Sequence, residues 1–131
     1  MWKALKEGGE LYFSDVYCDK RVPKELQDDK VLWGECLSGA LYFEDFRRLM
    51  LSIGFRDLRV VSQREIQNTG DYKLDQKYYS ITIRAFKLSN SEDRSEDYQN
   101  EVKYLGTIPN FESKFEFDQN YTFSKNSTVS V

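Results

Sequence analysis

A glycine pair followed by a nearly unbroken apolar run constrains this chain most. After Gly8-Gly9 comes ELYFSDVY, Glu10 to Tyr17, in which only Ser14 and Asp15 interrupt the aromatic and aliphatic residues. That composition predicts a β-strand, and its near continuity suits a strand covered on both faces. The preceding residues put Trp2 and Leu5 on one face and read as the last turns of a helix, stopped by the glycines. Asp15, near the strand's end, has two readings. It either faces a ligand crevice, as carboxyl-end residues do in open α/β sheets, or serves as a turn or cap residue.

Further along, Pro23 is suited to the first turn of a helical stretch. Val31 to Ala40 (VLWGECLSGA) is rich in small residues around Cys36, which predicts a broken helix or a close backbone packing site. Phe43, Phe46, Leu49, Met50 and Ile53 then recur at helical spacing, with Glu44 and Asp45 in the first turn and Gly54 as the stop. Leu58 to Ile66 and Lys77 to Leu88 read as strands of an antiparallel hairpin. The second alternates Tyr79, Ile81, Ile83 and Ala85 on one side, and Asn68-Thr69-Gly70-Asp71 supplies turn chemistry between them. Ser89 to Asn100 is polar and mostly acidic, a linker or solvated loop. Glu101 to Ile108 and Phe115 to Phe123 read as short strands, and Ser124 to Val131 carries no closing signal.

Composition then excludes several chemistries. The chain has 131 residues, 22 acidic and 19 basic side chains, no histidine and two cysteines, with a formal charge of −3. The length fits one domain, and the weak charge implies no attraction to nucleic acid or a membrane surface. Without histidine there is no Ser-His-Asp triad, no Cys-His pair and no His-containing zinc site. Two cysteines make neither a four-cysteine zinc site nor a disulfide-dense scaffold. No run approaches the ~20 apolar residues of a membrane span, and the N-terminus has no signal-peptide pattern. These features describe a soluble intracellular α+β domain with reduced thiols.

Gly8-Gly9 precedes its strand, the reverse of a phosphate-binding loop. The acidic pairs, such as Asp28-Asp29 and Glu96-Asp97, are adjacent in sequence and in polar surroundings, a solvated surface rather than a catalytic dyad. Cys36 is the candidate for reactive chemistry, as a nucleophile or soft-metal ligand. No cation stands beside it to depress its pKa, and a small buried hydrophobe is the competing reading. Cys18, following a strand, has weaker context still.

Two segments carry a resemblance. ALKEGGELYFSDVY (Ala4 to Tyr17) resembles the helix end and fifth strand of class I S-adenosylmethionine-dependent methyltransferases. KVLWGECLSGALYFEDF (Lys30 to Phe46) is far more specific and resembles the DPVLWGECLGGALYWxDF signature of arsenite methyltransferases, differing at Ser38 and Phe43. SIGF (Ser52 to Phe55), ITIRAFKL (Ile81 to Leu88) and EDYQNEVKYLGTIP (Glu96 to Pro109) are similar to further family segments, collinear over nearly the whole chain.

The resemblance implies a partial class I methyltransferase fold of the α/β class. Residues 1–88 would hold C-terminal strands of a Rossmann-like sheet with helices and the arsenic-binding cysteine segment. Residues 89–131 would form an acidic linker and a mainly β, arsenic-side extension. Cys36 falls on the family's last arsenic-binding cysteine, and Trp33 and Glu35 would line the same pocket. Family members hold As(III) through thiolates, which soft centres select, and transfer methyl from S-adenosylmethionine to the arsenic lone pair. A thiol reductant and thiol conjugates of As(III) belong to that chemistry, in the cytoplasm.

The family's cofactor loop and its other arsenic-binding cysteines lie upstream of the matched region, so ~100 residues or more would precede it at ~30 residues per βαβ unit. Cys18 matches no family ligand, and Ser95 stands where the family commonly has cysteine. The resemblance therefore implies no cofactor-binding residues, no metal site besides As(III) at Cys36, and a catalytically inactive isolated chain. The alternative is a non-enzymatic, thiol-dependent metalloid-binding or oligomerisation module. In either case Glu10 to Tyr17 would lack its fourth-strand neighbour, and that sheet edge would be open to self-association.

Overall fold

The computed structural model describes residues 1–28, 30, 37, 39–67 and 75–131. Its main sheet has four strands in the order β2-β1-β4-β3, formed by β1 (Glu10–Cys18), β2 (Leu41–Tyr42), β3 (Arg56–Ile66) and β4 (Tyr78–Phe86). β4 is the centre. It pairs antiparallel with β1 along Glu10↔Phe86 to Cys18↔Tyr78 and antiparallel with β3 on the other side. The hairpin read from sequence is present, with β3 starting earlier, at Arg56. The predicted turn at Asn68 to Asp71 lies outside the described residues, as do Val31 to Cys36 and Ser38 of the predicted broken helix.

Alternation builds the core. Ile81, Ile83 and Ala85 of β4 and Tyr17 of β1 are buried on one face beneath the helix α2 (Phe43–Ile53), which contributes Phe46 and Met50. The Tyr17 ring meets Phe46 at 4.7 Å and Phe43 at 5.5 Å between centroids. α2 ends in a Schellman motif, with Phe55 N–H donating to Met50 O (3.0 Å) and Gly54 N–H to Leu51 O (3.0 Å). Gly54 sits at φ +119°, and a Cβ there would meet the Trp2 ring at 3.0 Å. Both the backbone conformation and the close ring therefore require glycine.

The N-terminus is a short 3-10 turn (Trp2–Ala4) rather than an α-helix. It is fixed by Lys87 Nζ, which donates to Trp2 O (3.0 Å) and Leu5 O (2.8 Å) and lies 5.0 Å from the Trp2 ring. Pro23 does open a helix, α1 (Lys24–Gln27), of a single turn.

β1 departs from its sequence reading. Along it Tyr12, Ser14 and Asp15 are exposed while Leu11, Phe13 and Val16 are half-buried. Only Tyr17 and Cys18 pair with β2, in parallel. The exposure along β1 means the apolar run is not covered on both faces. Among the described residues, the outer edge from Glu10 to Val16 has no strand beside it either.

The last third also differs. β5 (Glu101–Lys103) pairs with β8 (Thr128–Ser130), so the tail does close a sheet. Phe115 to Phe123 is not one strand but part of a hairpin, β6 (Lys114–Glu116) against β7 (Thr122–Ser124). Asp118 makes the turn, its carboxylate accepting from the N–H groups of Asn120 and Tyr121, both at 2.8 Å. Local side-chain capping of this kind outcompetes continued extension.

This hairpin docks on the sheet face opposite α2, around Arg84. The Arg84 guanidinium bonds Glu10 (2.7 and 3.2 Å) and Phe117 O (2.8 Å). It also lies 4.9–5.6 Å from the rings of Phe86, Phe115 and Phe117. Arg59 repeats the arrangement beside it, pairing with Asp57 (2.8 Å) and with the buried carboxylate of Asp118 (3.2 Å). Removing either side of such a buried arrangement is destabilising, because the charge or polar group left behind is uncompensated. Arg84→Ala should lower stability by about 2 kcal/mol, read as a lower urea midpoint. Limited proteolysis should then cut first within 97–131.

Candidate functional site

The segment carrying the candidate cysteine is described at its flanks. Cys36, Trp33 and Glu35 themselves lie outside the described residues. Leu37 and Ala40 are buried, packed with Cys18, Val22 and Tyr78 in a second apolar cluster. Ala40 N–H donates to Leu37 O (3.2 Å), and the chain then runs directly into β2 and α2. Leu37 and Ala40 are thereby anchored on the end of β1 and the start of β4.

A cavity of about 240 Å³ adjoins this anchor, lined by Asp15 and Tyr17 of β1, Gly39 to Leu41, and Phe46 and Leu49 of α2. Of the two sequence readings of Asp15, the crevice-facing one matches this position. Its carboxylate also accepts from Val16 N–H (2.7 Å). The Tyr17 hydroxyl is buried and has no hydrogen-bond partner among the described residues. Burial first, and then the charge of Asp15, push its pKa well above the ordinary tyrosine value. It remains a neutral donor at any physiological pH.

Cys18 is 1% exposed, and its thiol donates to Lys20 O (2.6 Å). Burial pushes its pKa up, with the nearby charge of Asp19 adding to the effect. A thiol held protonated is a poor nucleophile and a poor ligand. Around it, Arg21 clasps Asp45 of α2 through two bonds (2.6 and 2.8 Å), and these hold the Asp45 carboxyl below the usual range. Among the described residues, no group of three or more Cys, Asp or Glu side chains is placed to hold a metal. Gly8 and Gly9 lie between the N-terminal turn and β1, ahead of the strand as their sequence position indicates.

Residues 97–131 match the arsenite methyltransferase C-terminal domain. Over 124 residues the chain is 47% identical to an arsenite methyltransferase of Aquipseudomonas alcaligenes, covering 92% of this chain and 36% of that protein. Against the human arsenite methyltransferase it is 40% identical over 99% of this chain and 35% of the relative. CrArsM, an arsenic(III) S-adenosylmethionine methyltransferase from Chlamydomonas reinhardtii, has a solved structure. It superposes with a TM-score of 0.88 at 40% identity, over 99% of this chain and 45% of that one. Over nearly its whole length this chain is similar to a C-terminal portion of arsenite methyltransferases. It spans little more than a third of the length of these curated relatives.

Within that arsenite methyltransferase portion, sequence reasoning missed Arg84, Arg59 and Asp118, the charged residues that seat the C-terminal domain. A cation inside the apolar strand ITIRAF was the available signal.

The raised Cys18 thiol makes a measurable difference. Iodoacetamide at neutral pH should leave Cys18 unmodified in the folded chain and alkylate it in guanidinium, as peptide mapping reads directly. The folded thiol holds its proton at a pH where the unfolded one releases it. This contribution to stability is therefore complete below the ordinary thiol pKa and falls away as pH rises above it.

Proposed function

We propose that this chain forms the arsenic-side portion of an enzyme that methylates As(III) from S-adenosylmethionine. Cys36 supplies a thiolate ligand, and Trp33 and Glu35 line its pocket. The collinear match at 40% identity and TM-score 0.88 to an arsenic(III) methyltransferase supports this reading most. In it, residues 1–88 are the end of the methyltransferase domain and 89–131 the linker and C-terminal extension. The substrate is As(III) as a thiol conjugate, with a thiol reductant consumed, in the cytoplasm. No helix among the described residues is long and apolar enough to cross a membrane.

Gly8 and Gly9 precede β1 instead of following a strand into a helix, which supports a methyl donor held elsewhere. In this reading S-adenosylmethionine is held by the part of such an enzyme that this chain does not match, and the chain alone is inactive because nothing positions the donor near arsenic. What the chain contributes is placement. Leu37 and Ala40, which follow Cys36 in the chain, pack against Cys18 of β1 and Tyr78 of β4, and this supports a role in placing the arsenic ligand.

Isothermal titration tests this. S-adenosylmethionine should give no binding heat with the isolated chain, whereas As(III) should bind and lose that binding in Cys36→Ser. Cys18→Ser should keep it. Loss in Cys18→Ser with retention in Cys36→Ser would overturn the assignment of the thiol.

The open edge of β1 favours a second reading, an oligomerisation module. Among the described residues no strand pairs with the outer edge of β1 from Glu10 to Val16, where Tyr12 is 57% exposed, a template for strand addition. The isolated chain should run larger than a monomer in light scattering. A monodisperse monomer would remove that reading.

A further inference from the structure

A cavity of about 420 Å³ lies between the start of β3, the acidic segment after β4 and the C-terminal strands. It shares no lining residue with the cavity at Asp15 and Tyr17. Its volume is that of a small-molecule site. Phe117, Tyr121 and Phe123 form an aromatic wall, with Tyr98 exposed beside them. The Tyr121 and Phe123 rings stack nearly parallel (2°) at 6.2 Å, and Phe117 lies 6.2 Å from Phe123.

Charge decides what such a wall would hold. Arg59 and Arg94 both line the cavity, but Arg59 is matched by Asp57 and Asp118, and Arg94 leans toward Glu44 of α2 at 3.8 Å. Glu92 and Glu96 line it too, and neither has an ion pair among the described residues. Glu96 accepts from the Tyr98 hydroxyl (2.8 Å). That bond, reinforced by the charges of both carboxylates, raises the hydroxyl to about 12. Phe117 already carries the guanidinium groups of Arg59 (5.4 Å) and Arg84 (4.9 Å), which leaves Tyr121 and Phe123 as the faces open to a further cation. The cavity thus combines these two aromatic faces, which attract cations through their quadrupoles, with two carboxylates that form no ion pair among the described residues.

We propose that this cavity binds a small alkylated ammonium ion, held against Tyr121 and Phe123 and balanced by Glu92 and Glu96. An anion would find both arginines already engaged and would face the two carboxylates. A neutral apolar ligand would gain the wall and forgo the charge.

Choline and its neutral isostere 3,3-dimethylbutan-1-ol separate these cases when titrated into the chain and followed by amide and aromatic chemical shifts. Choline should give saturable shifts at Tyr98, Tyr121 and Phe123 and bind about tenfold tighter than the alcohol, equivalent to ~1.4 kcal/mol. Glu92→Gln with Glu96→Gln should remove that preference. Both residues are exposed, so the double variant keeps the fold, as an unchanged unfolding midpoint would show. Equal binding of choline and the alcohol, no saturable shifts with choline, or a preference retained in the double variant would each overturn the proposal.

Discussion

The C-terminal third of this molecule depends on one buried cation. Arg84 stands in the central strand, where its guanidinium would be costly to desolvate alone. Glu10 neutralises it from the neighbouring strand, the Phe117 carbonyl takes a further N–H, and three phenyl rings surround it. Those rings belong to both bodies, Phe86 to the sheet and Phe115 and Phe117 to the hairpin. The cation therefore has its partners only when hairpin and sheet are together. Arg59 with Asp118, and the bond from Gln119 N–H to Val60 O (3.0 Å), extend the same seam along β3.

The opposite face of the sheet works differently. There the contact is apolar, with Tyr17, Phe46, Met50 and Ile83 under α2, and it holds the helix that follows the cysteine segment. One face thus secures the candidate arsenic side and the other secures the C-terminal domain, with β4 shared by both. A disturbance of β4 reaches both functions. A disturbance of Arg84 reaches the extension first, because the apolar face makes no use of the guanidinium.

Much of this was legible in the residues. The α2 helix, with apolar spacing from Phe43 to Ile53 and Gly54 at its end, could be read directly, because helix contacts span only three or four positions. The β3–β4 hairpin was legible for a similar reason, since alternation at Ile81, Ile83 and Ala85 marks a half-buried strand. β8 and the β6–β7 hairpin were not. Thr128–Ser130 has little apolar signal and becomes a strand through its pairing with β5, while Asp118 turns the chain by capping its own backbone. β1 misled by composition. Its aromatic residues suggested two covered faces, and the structure leaves one edge and much of one face open.

By itself the sequence determined the local elements and, through the WGECLSGAL segment, the kinship with arsenite methyltransferases and the candidate ligand Cys36. Both are properties of short, contiguous stretches. Only the tertiary structure decided that Cys18 is a buried, protonated thiol and that Arg84 is the seat of the C-terminal domain. It alone brought Phe117, Tyr121 and Phe123 together with Glu92 and Glu96 around one cavity. The reason is separation along the chain: Glu10 and Arg84 are 74 positions apart. No periodicity encodes such a pair, which forms only when the strands between have been brought into register.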